Sequence, residues 1–146
     1  MEFIVTDREG IEAGVLVRSS YIVISIHDPD NRPARVRQQP GLRGVLVLSF
    51  DDAEEIPGTA QPDEIKLMTS EHAKEIWRFV EKHRAEVGTV VVHCEGGVSR
   101  SPAVAAALCQ SLGGDAGRFW QEYQPNQHVF HLMLQAFAAS SSEDSR

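Results

Sequence analysis

Cysteine is scarce. Only Cys94 and Cys109 occur in a chain of 146 residues, too few for the disulfide framework that staples small secreted domains. No Cys-x-x-Cys pair exists, and the six histidines lack the spacing of a zinc site. Neither a metal nor a cofactor is therefore expected. Long apolar runs are missing too: none approaches the roughly 18 residues of a membrane-spanning helix. The opening Met1–Asp7 segment lacks the basic and then apolar blocks of a signal peptide. Basic side chains are in deficit, 14 Lys and Arg against 21 Asp and Glu, for a net charge of −7. That balance disfavours a general binder of nucleic acid or anionic membrane. A cytoplasmic monomer that engages neither is the expectation.

What remains is ordinary for a globular domain: 42% hydrophobic and 24% charged residues. The length fits a single domain with its own core. The chain shows no internal repeats. Only residues 140–146 are compositionally biased, so residues 1–139 are expected to form one domain and 140–146 a disordered tail.

Along the chain the apolar period alternates between two and about 3.6. Phe3–Thr6 and Val15–Val17 read as short strands around a turn at Gly10. Tyr21–Ile26 is β-branched and nearly continuous in apolarity, as in a strand covered on both faces. Turn residues His27–Asn31 end it. Gly44–Phe50 is the next strand, followed by the acidic Asp51–Glu55 loop and a connection bearing Pro and Gly. Ala73, Ile76, Trp77 and Val80 then form one helical stripe, with Thr69 or Ser70 as its cap. Thr89–Val92 is a buried strand that runs into His93–Ser101. Pro102 suits the first turn of the following helix, Ala103–Leu112 propagate it and Gly113-Gly114 end it. A last helix starts near Asn126, with Val129, Leu132, Met133, Ala136 and Phe137 as its stripe.

Strands alternating with helices predict an α/β fold: a central, mostly parallel sheet of four to five strands with helices on both faces. Ligands of such sheets sit at the carboxyl ends of the strands. The Cys94 loop lies at such an end, between a strand and a helix.

That loop has the composition of an oxyanion cradle. Gly96 and Gly97 permit backbone angles that turn several N–H groups inward. The next helix points its N-terminus at the same place. Arg100 adds a planar fork that matches two phosphate oxygens. The cradle thus comprises Glu95, Gly96, Gly97, Val98, Ser99 and Arg100, with the Cys94 thiol at its floor. A positive field of this kind favours thiolates, and a thiolate there is a nucleophile toward phosphorus. Ser101 is placed to hydrogen-bond the sulfur. His93 could orient the loop backbone through its ring nitrogens but not act as base, because neighbouring strand residues point to opposite faces.

His93-Cys94-Glu95-Gly96-Gly97-Val98-Ser99-Arg100-Ser101 resembles the Cys-x5-Arg-Ser/Thr signature of the protein tyrosine phosphatase superfamily. The Ser-Arg-Ser-Pro ending is similar to its dual-specificity branch, and the likeness runs from about Tyr21 to Phe137. The resemblance implies a general acid after an upstream strand, matched here by Leu46–Asp52. Asp52 is the first choice, Asp51 the second and Asp63 a distant third. The Ile56–Pro62 segment makes the stretch from acid to nucleophile longer than in compact members. Asn126, before the last helix, is similar to the family's closing helix and its Asn.

The implied reaction has two steps. Cys94 attacks a phosphomonoester while the acid protonates the leaving oxygen, and water then hydrolyses the phosphocysteine. Chemistry independently asks for such an acid, since positioned acids contribute about 10²–10⁴-fold. The expected partner is a phosphorylated protein or a small phosphoester. A cradle without Lys or Arg between Cys94 and Arg100 argues against polyphosphorylated lipid.

Rival readings are a catalytically weak phosphoprotein-binding module and another Cys-cradle enzyme, such as a sulfurtransferase or arsenate reductase. Cys109, among alanines, reads as a packing residue. Arg32, Arg35, Arg37 and Arg43 read either as a solvated loop or as a rim attracting anionic substrate. Trp77, Trp120, Phe119 and Phe130 read as core.

Overall fold

The computed structural model describes residues 1–54 and 65–144. Strands β1 (Glu2–Thr6), β2 (Tyr21–His27), β3 (Leu42–Ser49) and β4 (Thr89–His93) form one parallel sheet in the order β1-β4-β2-β3. The two central strands, β2 and β4, are buried at every position. This is why their sequences run apolar without a polar face.

Alternation along these strands separates two cores. Ile22, Ile24, Ile26, Val90, Val92 and Cys94 face the larger one, under α2 (Ser70–His83), α3 (Arg100–Ser111), α4 (Gly117–Glu122) and α5 (Gln127–Asp144). Tyr21, Val23 and Val91 face the smaller one, covered by α1 (Arg8–Ala13) and by extended chain through Val15, Val17, Ala34 and Val36. Helices therefore lie on both faces, but the second face carries only a short one.

Local chemistry explains the helix positions. Thr69 caps α2 with a reciprocal box: its hydroxyl accepts from the His72 N–H, and His72 Nδ1 accepts from the Thr69 N–H. Ala73, Ile76, Trp77 and Val80 are buried, and Trp77 Nε1 donates to the Met133 carbonyl at 2.9 Å, tying α2 to α5. In α3 the run Ala103–Ala107 is buried throughout; small side chains let this helix lie close over the sheet.

Three expectations change. Residues 8–13 form a helix, not a turn at Gly10, because Asp7 accepts the Gly10 N–H and caps it. Val15–Val17 is not a strand. Val15 and Val17 pack on the sheet while Leu16 is exposed, so the period of two comes from extended chain laid over a core, not from a ladder. Trp120 is 38% exposed, not core; its ring instead meets Phe130 edge-on. Helix α5 runs through Asp144. No helix of the described residues is long and apolar enough to cross a membrane.

The sheet register aligns Ser25 of β2 with His93 of β4, and Ser25 Oγ lies 2.6 Å from His93 Nε2. Burial holds His93 below the ordinary imidazole value of 6.5, outweighing the opposing pull of the Cys94 carbonyl and Glu95. Burial also lowers His72. A depressed histidine contributes stability that is complete above 6.5 and is lost as pH falls from there through the folded value. The urea midpoint should therefore drop between pH 7.5 and 5.5. The slope can reach about 1.4 kcal/mol per pH unit for the buried His93. His93→Gln should remove part of that slope, and an unchanged slope would refute the assignment.

Candidate active site

The loop from Cys94 to Ser99 joins β4 to α3 at the carboxyl edge of the sheet. Cys94 is buried. Its sulfur lies 3.1 Å from Ser101 Oγ and accepts the Gly97 and Ser101 N–H groups at 3.3 and 3.5 Å. Two N–H donors and a hydroxyl thus converge on the atom that would carry negative charge. Among the described residues, the backbone N–H groups of Glu95, Gly96, Val98 and Ser99 have no acceptor in the fold.

The two glycines differ. Gly97 has φ +69°, and a Cβ there would meet the backbone of Thr6 and Asp7 at 3.0–3.1 Å; at Gly96 nothing lies within 4 Å. Only Gly97 is required by the backbone path, since it lets the loop pass against the end of β1.

Arg100 is buried; its NH1 donates to the Phe50 carbonyl at 2.7 Å and is ion-paired with Asp28 Oδ1 at 2.8 Å. Nε is buried with no partner among the described residues. One nitrogen therefore anchors the guanidinium, while the edge carrying Nε remains for an anion. A buried orphan donor of this kind calls for a ligand.

Glu95 binds outward, away from this chemistry. Its carboxylate accepts from Arg8 NH1 at 3.1 Å, from the Asp28 N–H at 3.1 Å and from Asn31 Nδ2 at 2.9 Å. Burial alone would raise its pKa, but the Asp28 N–H, the Asn31 amide and the Arg8 guanidinium outweigh burial and hold it below the ordinary carboxylate value. Glu95 thus ties the cradle to α1 and to the 28–31 turn. His93 Nδ1 lies 3.2 Å from the Cys94 carbonyl, on the loop backbone.

The two candidate acids part company here. Asp52 Oδ1 accepts from Ser99 Oγ at 2.7 Å, within the cradle, and from Asn126 Nδ2 at 3.0 Å. Asn126 also donates to the Ala53 carbonyl, and its Oδ1 accepts the Val129 N–H in the first turn of α5. Asp51 is paired in both directions with the backbone of Lys66, at 2.7 Å each way. Asp63 and the whole Ile56–Pro62 connection lie outside the described residues. Cys109 is buried near the far end of α3, its sulfur against the Asp115 carbonyl, and is not brought to the site. Asp28 is the residue that sequence reasoning passed over. Its signal was the His27–Asn31 turn at a strand end, where ligands of such sheets collect.

No protein-family model matches the chain, and no curated protein matches it significantly. Solved structures do resemble it. Human DUSP28 aligns over 97% of this chain and 94% of its own, with 18% identity and a TM-score of 0.56. The human tyrosine phosphatase-like serine/threonine/tyrosine-interacting protein aligns over 83% and 78%, with 24% identity and a TM-score of 0.54. A mouse protein described as a dual specificity phosphatase, complexed with zinc tungstate, aligns over 86% and 74%, with 17% identity and a TM-score of 0.53. The fold is that of the dual-specificity phosphatases.

The glycine asymmetry gives a paired test. Gly97→Ala should cost about 1–3 kcal/mol in urea denaturation, and Gly96→Ala should stay within about 0.5 kcal/mol of wild type. Equal losses would show that the loop path does not depend on Gly97.

Proposed function

We propose that this chain is a cysteine-dependent phosphomonoester hydrolase of the protein tyrosine phosphatase superfamily, in its dual-specificity branch. Residues 1–139 act as one catalytic unit. The observation that carries the reading is the convergence of a buried thiol, an anchored arginine with a free buried Nε–H, and the Asp52 carboxylate on Ser99 of the same loop.

The chemistry follows from those groups. The Cys94 thiolate attacks phosphorus in line. A sulfur–phosphorus bond forms as the bond to the leaving oxygen breaks, and Asp52 passes its proton to that oxygen. Arg100 and the unpaired loop N–H groups hold the equatorial oxygens. In the second step Asp52 takes a proton from water, the water oxygen attacks phosphorus, and the thiolate departs. Ser101 Oγ and the Gly97 N–H stabilise the departing sulfur. The cradle supplies the positive charge, so this reaction calls for no metal.

A phosphorylated protein fits the cradle better than a polyphosphorylated lipid. Between Cys94 and Arg100 the sequence has no basic side chain to meet further phosphates. Val98, 49% exposed at the lip, offers an apolar contact to the group bearing the phosphate. Both cysteines are free, which suits a reducing compartment such as the cytoplasm.

The test is turnover of p-nitrophenyl phosphate in EDTA and reductant. Wild type should turn over, and Cys94→Ser should fall to background. With a poor leaving group, Asp52→Asn should lose about 10²–10⁴-fold in kcat, while Asp51→Asn stays near wild type. A folded wild type that binds tungstate but hydrolyses no ester would assign the cradle to phosphoprotein binding. Cys94-dependent sulfur transfer without ester hydrolysis would assign it to a sulfurtransferase.

A further inference from the structure

The arginine cluster is not used by this chemistry, yet the fold arranges it. Chain leaving β2 must return to the opposite end of the sheet to begin the parallel β3, and it does so without a helix. Residues 32–41 run back across the smaller core. In this stretch Ala34 and Val36 face inward and pack on the core, while Arg35 and Arg37 are exposed.

A second extended segment lies alongside. Arg35 N–H donates to Glu12, Arg37 NH1 to the Ala13 carbonyl, Gln39 Nε2 to the Val15 carbonyl and Arg43 NH2 to Ser20 Oγ, at 2.9, 3.1, 2.8 and 3.5 Å. The last residues of α1 and the extended residues 14–20 thus descend the same face beside residues 35–43. Together they expose Arg18, Arg32, Arg35, Arg37 and Arg43, with Leu16 between them 88% exposed.

None of these five guanidinium groups is ion-paired among the described residues, although acidic side chains outnumber basic ones in the chain. Glu12, beside them, is already engaged by the Arg35 N–H at 2.9 Å and by Arg8 Nε at 3.6 Å. The upper end of the strip joins the cradle, because Arg8 NH1 donates both to the Arg32 carbonyl and to Glu95. The strip follows the length of β2, seven residues, or roughly 20 Å.

We propose that this strip docks an extended, acidic segment of the substrate protein, with an apolar side chain of that segment on Leu16. The inference rests on the phosphatase reading for its link to the cradle. The charge is that of an anion-binding surface, and unpaired arginines supply it without the cost of breaking existing pairs. A line of charge fits an extended chain. A bilayer would have to bring its whole anionic plane against a protein of net charge −7.

The test is fluorescence anisotropy with the full chain carrying Cys94→Ser. Three labelled peptides are compared: a phosphotyrosine peptide followed by a run of Asp and Glu containing one Leu, the same peptide with the acids replaced by Ser, and the acidic peptide without phosphate. The acidic phosphopeptide should bind about tenfold tighter than its neutral counterpart at low salt, with the difference closing as salt rises. Arg32→Glu/Arg35→Glu should abolish that difference, since neither side chain makes a hydrogen bond or ion pair within the described fold. If the double variant melts early, Arg18→Glu replaces it. The unphosphorylated acidic peptide should still bind in an arginine-dependent way. That result would stand even if ester hydrolysis failed, so the two readings fail separately. No preference for the acidic peptide, or a preference unmoved by either variant, overturns the proposal. Arginine-dependent capture by phosphatidylserine vesicles, tighter than by the peptide, overturns it in favour of a membrane surface.

Discussion

The buried guanidinium of Arg100 sets the terms for everything around it. A charge taken out of water is costly unless its donors are met. Here the end of β2 provides Asp28 and the end of β3 provides the Phe50 carbonyl, both to the same nitrogen. Two strands that are neighbours in the sheet thereby fix one side chain of the helix that follows a third strand. Because the anchor uses a single nitrogen, the rest of the guanidinium is oriented without being consumed. A rigid donor that needs no reorganisation when an anion arrives is worth more than a flexible one.

Glu95 extends the same logic to the backbone. It is the residue after the nucleophile, and its carboxylate gathers Arg8, the Asp28 N–H and Asn31. One side chain therefore registers the cradle against the very turn that supplies the arginine's anchor. On the opposite rim, Asn126 binds Asp52 and the Ala53 carbonyl while capping α5. The acidic loop is consequently referenced to a helix that also packs on α2 and α3. Nucleophile and arginine bracket the loop after β4 and the acid follows β3, and these polar clamps reduce their freedom relative to one another.

How much of this was legible depended on whether the determining interactions are local in sequence. The strands β2 and β4, the α2 stripe and the Cys94–Ser101 loop all carry their signals within about ten residues, and the sequence reading located them. Asp28 escaped because its importance comes from Arg100, 72 positions away, and nothing in a His-Asp-Pro turn announces that partner. Glu95 was read as one more cradle residue for the same reason: its partners Arg8 and Asn31 come from two other segments. The contrast between Gly96 and Gly97 depends on the backbone of Thr6 and Asp7. The Val15–Val17 error is different in kind. Period-two burial reports an extended chain over a core, and only a neighbour with free backbone groups turns that into a strand.

The distribution of charge also has a physical consequence that net charge conceals. At physiological ionic strength the Debye length is about 8 Å, so an approaching segment feels the side chains nearest to it far more than the sum over the molecule. A chain of net charge −7 can still present a strongly positive local surface if its acids are confined elsewhere. Several of them are: Glu71 pairs with Lys74 and Arg78 and Glu81 with Arg84 along and just beyond α2, across the sheet from the arginine strip. Glu95 is turned into the fold by Arg8. With those carboxylates engaged, the face that leads to the cradle keeps unpaired arginines, and the excess of acid excludes only partners large enough to meet the whole molecule.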